Sequence, residues 1–512
     1  MTLTVLTDSD VRKLLHSLTR EDILDLQQSL ADALHFYSTA VEDNGCCSSY
    51  QPMRTSLKRR DGSTTLFMPA SSNNNLGVKI VTLQAPDDPD PSGIEKLSVS
   101  SSTWQTSSVT EALCLDYQFF IILSYRPATV DLEHPEYHAK RLTYPLQFFW
   151  YVLLNREISQ EQCMPAFSNE LPNYASTLAH LFPNGYLWGT PSGLINAEEL
   201  TAFRTALAST MILKKRHNVH DVTVFGAGKQ AYWHIRLALL LRGSEIHHVN
   251  VINRSFDRAR ELLMGLYNPF PEDPSYVNPI GHKYNSKTKT AVLTPGHGEY
   301  TRLLKQYVRD ASVIICTTPS TAPLFPGSYL TNPEGRRKGR YIVAVGSYKP
   351  HMIELDPSIL HAAVAPHHEH RHFHKHQKEG GAVVVDSVSA CLQEAGEVVQ
   401  AGLQPDEVVE LGELVMLRRE AEAKRAKEGH GKDEDGEGLQ VKGDSGLKEW
   451  LTRGNVVYKS VGLGLMDVVV GGELVRLAQE RGVGTMIEGF RTVPAEDMDR
   501  GGRTSFSLPW FL

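Results

Sequence analysis

Cysteine is scarce: six among 512 residues, with no C-x-x-C spacing and only Cys46 and Cys47 adjacent. A disulfide framework and a zinc ribbon are therefore excluded, and the thiols read as reduced. No stretch reaches the roughly 20 apolar residues of a membrane span. The opening MTLTVLTDSDVRKLL lacks a cationic segment followed by an apolar core, so no secretory leader is expected. It reads instead as a short strand and then a helix opened by Asp8 or Ser9. The closing SLPWFL matches no prenylation or retention signal, which leaves the cytoplasm as the expected compartment. Positive charge is not in surplus either, with 52 basic against 59 acidic residues and a formal net charge of −7. That balance argues against a chain whose main task is holding nucleic-acid phosphates, and neither nucleic acid nor membrane is expected as a partner. What the chain does have is 41% hydrophobic residues, enough for large cores. At about 150 residues per domain, the length suggests roughly three domains.

Four segments interrupt the globular pattern. Residues 267–300 are rich in Pro, Asn, Gly and Lys and read as a surface insertion. Residues 361–380 include APHHEHRHFHKHQKEGG, and residues 418–448 carry 16 charges in 31 positions. The last segment has too little to bury and reads as a mobile loop. Residues 104–170 contain FFIILSY and YPLQFFWYVLL between Ser-rich and Pro-rich text, with no clean helix or strand period. One reading of that stretch is a retained intron. The six histidines between His367 and His376 read as a solvated loop rather than a metal site, because no cysteine or carboxylate frame with structural-zinc spacing surrounds them.

Elsewhere the pattern is regular. DVTVFGAG is an apolar run ending in a Gly-rich turn, KQAYWHIRLALLLRG a helix stopped by Gly243, and HHVNVINRS a second strand. ASVIICTTPS, GRYIVAVGS and AVVVDSVS are β-branched runs that end in small or hydroxylic residues. Strands alternating with helices predict an α/β fold with a Rossmann-type doubly wound parallel sheet, binding ligands at the carboxyl ends of its strands. Gly226, Gly228 and Ala231 form G-x-G-x-x-A at a strand-to-helix turn, with Gln230 in the helix's first turn. The first glycine allows the tight turn, the second admits a pyrophosphate to the backbone, and the small third residue lets helix pack on strand. At the end of the second strand, where an acidic residue would bind the ribose of NAD, stand Asn253, Arg254 and Ser255, with Arg258 a helical turn on. Two guanidiniums suit a ribose phosphate, so NADP(H) is favoured and NAD(H) remains open; the alternative is that both arginines form a solvated helix face.

The residues quoted above, together with FMPA, LGVKIV, GLINAEELTAFRTALAS, VAVGSYKPHMIELD, VVVDSVSACLQEAGEV and VYKSVGLGLMDVVVG, resemble the ornithine cyclodeaminase/μ-crystallin family in composition and order. The resemblance implies a homodimer of two-domain subunits, in which a discontinuous α+β substrate and dimerisation domain accompanies the Rossmann domain. On this basis residues 1–207 form the substrate domain, 208–467 the dinucleotide domain, and 468–512 a segment returning to the first. It also implies a small amino or imino acid gripped by its carboxylate, through Arg54 upstream of the Met-Pro motif, Lys79 of LGVKIV and Arg204 of LTAFRTA. A planar guanidinium makes paired bonds to a carboxylate and Lys supplies a point charge, with Lys79 and Arg204 as the catalytic candidates. A lysine ending an apolar strand also often just reaches solvent, and Arg59 or Arg60 stand close enough to replace Arg54.

Around the nicotinamide the expected residues are Thr317, Thr318 and Pro319, Gly346 and Ser347, and Ser460, Val461 and Gly462, all at strand ends. Glu354 and Asp356 read as helix-orienting, as does Asp467, while Asp386 is expected in a structural hydrogen-bond role at least as readily as a catalytic one. The departure from the family pattern is Tyr348, which stands where ornithine cyclodeaminases carry an aspartate that handles the substrate amine. A phenol with an ordinary pKa of about 10 does not replace that carboxylate. The resemblance therefore favours an NAD(P)H-dependent reductase of a cyclic ketimine carboxylate, with Tyr348 lining its substrate site; an ornithine cyclodeaminase or a non-catalytic dinucleotide binder are the alternatives.

Overall fold

The computed structural model describes residues 2–39, 51, 55–58, 64–72, 75–83, 118–124, 190–280, 288–364, 381–416 and 451–488. Arg54, the histidines between 367 and 376, and residues 418–448 lie outside them.

Two sheets organise these residues. The first is mixed, in the order β15-β1-β6-β5-β4-β3-β2. Its strands are β1 (Leu3–Leu6), β2 (Thr55–Lys58), β3 (Thr64–Ser71), β4 (Asn75–Leu83), β5 (Gln118–Ser124), β6 (Thr190–Asn196) and β15 (Thr485–Ile487). Of the stretch 104–170, residues 118–124 thus form a strand between β4 and β6, antiparallel to both; the remainder lies outside the described residues. The strand was hidden in the sequence because its partners, not a local period, define it.

Helix α1 (Asp8–His16) is opened by Thr7 rather than Asp8 or Ser9. Thr7 Oγ1 accepts from Asp10 N while the Asp10 carboxylate accepts from Thr7 N, a reciprocal capping box. Helices α2 (Arg20–Thr39) and α3 (Ala197–Leu213) follow, and α3 is buried on nearly every face, as expected of a helix between other layers.

The second sheet is wholly parallel, in the order β13-β12-β14-β11-β10-β7-β8-β9. It comprises β7 (Asp221–Phe225), β8 (His248–Ile252), β9 (Lys289–Leu293), β10 (Val313–Cys316), β11 (Tyr341–Ala344), β12 (Gly381–Val385), β13 (Val408–Glu410) and β14 (Asn455–Lys459). Its helices include α4 (Lys229–Arg242), α5 (Phe256–Tyr267), α6 (Tyr300–Asp310), α7 (Pro357–Val364), α8 (Val388–Glu394) and α9 (Gly396–Ala401). From β7 the chain winds outward through β8 and β9, then returns to β10 on the other side. The reversal between β7 and β10 is the switch point at which such sheets open a crevice.

The stretch expected as a surface insertion at 267–300 is partly framework. It contributes edge strand β9, paired with β8. Before that, Ile280 is 1% exposed, and Tyr276 Oη donates to His16 O and accepts from Arg236, bridging α1 and α4. Its turn-rich composition concealed a few well-anchored apolar residues.

The last helix, α10 (Gly464–Arg481), packs on β3 to β6 of the first sheet and ends at Gly482 in the left-handed conformation, φ +65°. The expected domain limits at 207 and 467 fall inside α3 and α10. Both helices contact strands of the first sheet, and α3 also packs along α4 of the second.

Candidate functional site

At the switch point β7 runs into Gly226, whose φ of +106° is a conformation that favours glycine. A Cβ there would stand 2.6 Å from Thr317 Oγ1, so the turn also packs closely on the end of β10. Gly228 differs: a Cβ would meet nothing within 4 Å, and it caps α4 with no side-chain hydrogen bond. The open backbone at Gly228 and the N–H groups of the helix's first turn, which an α-helix leaves without intrahelical acceptors, fit a pyrophosphate on the helix N-terminus. Ala231 is fully buried, so the small residue seats the helix, and Gln230 Oε1 is buried without a hydrogen-bond partner among the described residues.

At the end of β8, Asn253 Nδ2 donates to Ser255 O, and Ser255 Oγ caps α5 by accepting from Arg258 N. The Arg254 and Arg258 side chains are exposed and form no ion pair with any described residue. Two guanidiniums with no ion-pair partner among the described residues flank the end of this strand.

Lys79 and Arg204 converge from β4 and α3. Lys79, far from reaching solvent, is 3% exposed, and Arg204 is 5% exposed. Between them stands Asp467 of α10, 1% exposed, with Oδ1 3.1 Å from Lys79 Nζ and Oδ2 3.1 Å from Arg204 Nη2. Lys79 also donates to Thr201 Oγ1 at 2.6 Å. Burial, opposed by Asp467 and reinforced by Arg204, lowers the Lys79 pKa to about 8. From the first turn of α10, Asp467 is therefore also the counter-ion of both cations. Arg204 Nε is buried with no hydrogen-bond partner among the described residues, a donor left for an anion. Above the guanidinium lies Gly462, φ +90°, where a Cβ would be 2.8 Å from Arg204 Nη2; the glycine lets the loop close over the arginine.

That loop, Ser460 to Gly462, hangs from Asp386. Its buried carboxylate accepts from Ser460 Oγ at 2.6 Å, Gly462 N at 2.8 Å and Val461 N at 3.4 Å. The arrangement is the structural role for Asp386. Glu354, expected to orient a helix, instead joins the loops after β10 and β11: it accepts from Thr318 N at 2.6 Å and from Gly346 N at 2.7 Å. A Cβ on Gly346 would press to 2.3 Å from Thr318 O, so this glycine serves the contact between the two loops. Ser347 is fully buried and turned inward, donating to Glu397, while Pro319 and Tyr348 face solvent. Tyr348 is 39% exposed, with the Lys349 ammonium 5.6 Å above its ring.

Sequence reading missed the buried pair Lys459–Glu397 altogether, 3.0 Å apart with each side chain 1% exposed. Its one signal was a lysine closing the otherwise uncharged strand NVVYK. Among the described residues no group of His, Cys, Asp and Glu is placed to hold a metal ion, and no helix is long and apolar enough to cross a membrane.

No protein-family model matches the chain. It is 28% identical over 307 residues to a Δ1-pyrroline-2-carboxylate reductase of Bacillus cereus, covering 59% of this chain and 71% of that one. An uncharacterised protein of Saccharomyces cerevisiae, YGL159W, is 26% identical over 306 residues, covering 56% and 70%. Among solved structures, the Thermococcus litoralis Δ1-pyrroline-2-carboxylate reductase in complex with NADH and L-proline superposes with a TM-score of 0.52 at 17% identity, over 94% of this chain and 99% of that one. Fold and site together define a Rossmann-type α/β protein whose other unit buries Lys79 and Arg204 on the single carboxylate of Asp467. The relatives also include an uncharacterised cyclodeaminase of Dictyostelium discoideum, 30% identical over 174 residues and covering 33% of this chain and 44% of that one, and the ketimine reductase mu-crystallin of Mus musculus, so the chain is similar to proteins of the ornithine cyclodeaminase/μ-crystallin family.

Proposed function

We propose that the protein is an NADPH-dependent reductase of the C=N bond of a small imino acid, a cyclic ketimine carboxylate, acting as a homodimer. The observation that carries this reading is the buried pair Lys79 and Arg204, neutralised only in part by Asp467, with the unspent Arg204 Nε beneath the Gly462 loop. Two cations against one carboxylate leave a net positive charge for a substrate carboxylate, which a guanidinium holds in paired geometry. Arg54 would join them from outside the described residues. The reductase named among the relatives, Δ1-pyrroline-2-carboxylate reductase, takes a substrate of this chemical class.

The dinucleotide would lie across the crevice between β7 and β10, with its pyrophosphate at Gly226 and Gly228 and its 2′-phosphate between Arg254 and Arg258. When bound, the nicotinamide supplies hydride to the imine carbon. Lys79 holds a proton at Nζ that its lowered pKa, about 8, makes easier to release than that of a free lysine, which suits it to protonating the imine nitrogen near neutral pH. Thr201 and Asp467 hold the ammonium in place. Tyr348, in place of the cyclodeaminase aspartate, argues against deamination of ornithine.

The test is NADPH oxidation against a panel of five- and six-membered cyclic imine carboxylates, run beside ornithine with ammonia detection. Oxidation with imine carboxylates supports the reading. Ammonia release from ornithine without net NADPH turnover would overturn it in favour of a lyase, and dinucleotide binding with no turnover of any substrate would leave a non-catalytic binder.

A further inference from the structure

Glu354 lies in a buried polar chain that spans three strand ends. Its Oε1 accepts from Thr318 N at 2.6 Å and Thr318 Oγ1 at 3.1 Å, and its Oε2 from Gly346 N at 2.7 Å. Its own backbone N donates to Glu397 Oε1 at 2.7 Å. Glu397 pairs with Lys459 at the end of β14, and Lys459 Nζ donates to Ser347 O at 2.6 Å. A buried carboxylate accepting from two backbone N–H groups on different loops fixes their separation as no pair of neutral side chains would. The Glu397–Lys459 pair supplies the far end of the chain and leaves neither of those charges unpaired.

We propose that Glu354 is a positioning residue for the dinucleotide's nicotinamide end: its carboxylate ties the loop after β10 to the loop after β11 and so sets the floor on which the ring rests. This rests on the dinucleotide reading given above. The adenosine end, at Asn253 to Arg258, is built by the residues after β8, whose hydrogen bonds do not involve Glu354. Glu354 therefore separates two halves of one ligand.

The groups facing Glu354 are Lys459 from β14, Glu397 from α9 and the buried thiol of Cys316 from β10. Burial pushes the Glu354 carboxyl up to about 7, with Lys459 opposing and Glu397 adding, while the Cys316 thiol is itself pushed up and stays neutral. Acidification then protonates Glu354 and weakens its hold on one of the two N–H groups.

The experiment measures affinity for NADPH and, separately, for adenosine 2′,5′-bisphosphate, which lacks the nicotinamide half. It compares the full wild-type chain with Glu354→Gln between pH 6 and 8. An amide sets an N–H donor against one backbone N–H, so Glu354→Gln is expected to weaken NADPH roughly tenfold at pH 8 and leave the bisphosphate within about twofold. In the wild type the ratio of the two dissociation constants is expected to rise as pH falls through about 7, and in the variant to stay flat. If Glu354→Gln does not fold, the wild-type ratio alone decides. Equal weakening of both ligands, no weakening of either, or a wild-type ratio independent of pH overturns the role of Glu354 while leaving the dinucleotide reading intact. Failure of the wild type to bind either ligand overturns both.

Discussion

The Lys79–Asp467–Arg204 cluster makes a quantitative prediction for Asp467→Asn. The substitution keeps the shape but removes the only carboxylate paired with these two buried cations among the described residues. Removing one partner of a buried pair typically destabilises by about 3–5 kcal/mol, because a charge is left uncompensated. Lys79 offers partial relief. Its pKa is about 8 with Asp467 raising it, so without Asp467 burial and Arg204 drive it lower and the amine becomes neutral. The folded variant then binds one proton fewer than the folded wild type at every pH between the two pKa values. The unfolded chains bind the same number, so the stability difference must shrink as pH rises toward 8, by about 1.4 kcal/mol per pH unit. From pH 6.5 to pH 9 the Asp467→Asn penalty is expected to fall by about 2 kcal/mol and then level off, since above 8 Lys79 is neutral in both proteins. Urea denaturation of both proteins at the two pH values measures this. A penalty that does not change with pH, or that grows, would refute the assignment of Asp467 as the counter-ion of Lys79.

Four further outcomes follow from the site. Replacing Arg254 and Arg258 together by Ala is expected to raise KM for NADPH roughly 10- to 100-fold and leave KM for NADH within about twofold, read by steady-state kinetics. Gly226→Ala forces a side chain into φ +106° with its Cβ 2.6 Å from Thr317 Oγ1; thermal denaturation should show about 1–3 kcal/mol lost. Gly228→Ala, with open space around it, should leave stability within about 0.5 kcal/mol yet weaken NADPH binding in calorimetry. Tyr348→Phe should leave kcat for imine reduction within about threefold, because an exposed phenol is not the proton source; a larger loss would return Tyr348 to the chemistry.

The dinucleotide half was legible because its signal is local. Gly226, Gly228 and Ala231 are read within six residues, and the strand before and helix after them confirm the context. The anchor was legible only through family resemblance, since Lys79 and Arg204 each have an ordinary local reading as a solvent-reaching lysine and an amphipathic-helix arginine. Asp467 lies 388 positions from Lys79, so no periodicity could pair them. Glu354, Glu397 and Lys459 escaped for the same reason: each looks like a helix-end or strand-end charge until folding brings them together. Strands β5 and β9 were missed because their flanks are Ser-rich or Pro-rich, and the partners that make them strands come from other parts of the chain. Local chemistry is written in short words, whereas charge compensation is written across the whole sequence.

One helix sets the distance between the two halves of the site. Arg204 belongs to α3, and a turn and a half earlier the same helix carries Glu199, whose Oε2 accepts from Trp233 Nε1 at 2.6 Å and whose Oε1 lies 3.0 Å from Lys229 Nζ. Lys229 and Trp233 lie in the first turns of α4, the helix whose N-terminus faces the dinucleotide turn. Phe203, next to Arg204, packs edge-on against Trp233 with ring centroids 5.3 Å apart, and both rings are fully buried. Close-packed aromatic contacts of this kind transmit strain rather than absorb it. The proposed anchor for the carboxylate and the proposed cradle for the dinucleotide are thereby held to each other through the packed α3–α4 seam, not through a loop. On the proposed function, substrate and cofactor would meet at a separation fixed by packing, which is the condition under which positioning can supply most of the rate of a reaction whose reactive group belongs to the cofactor.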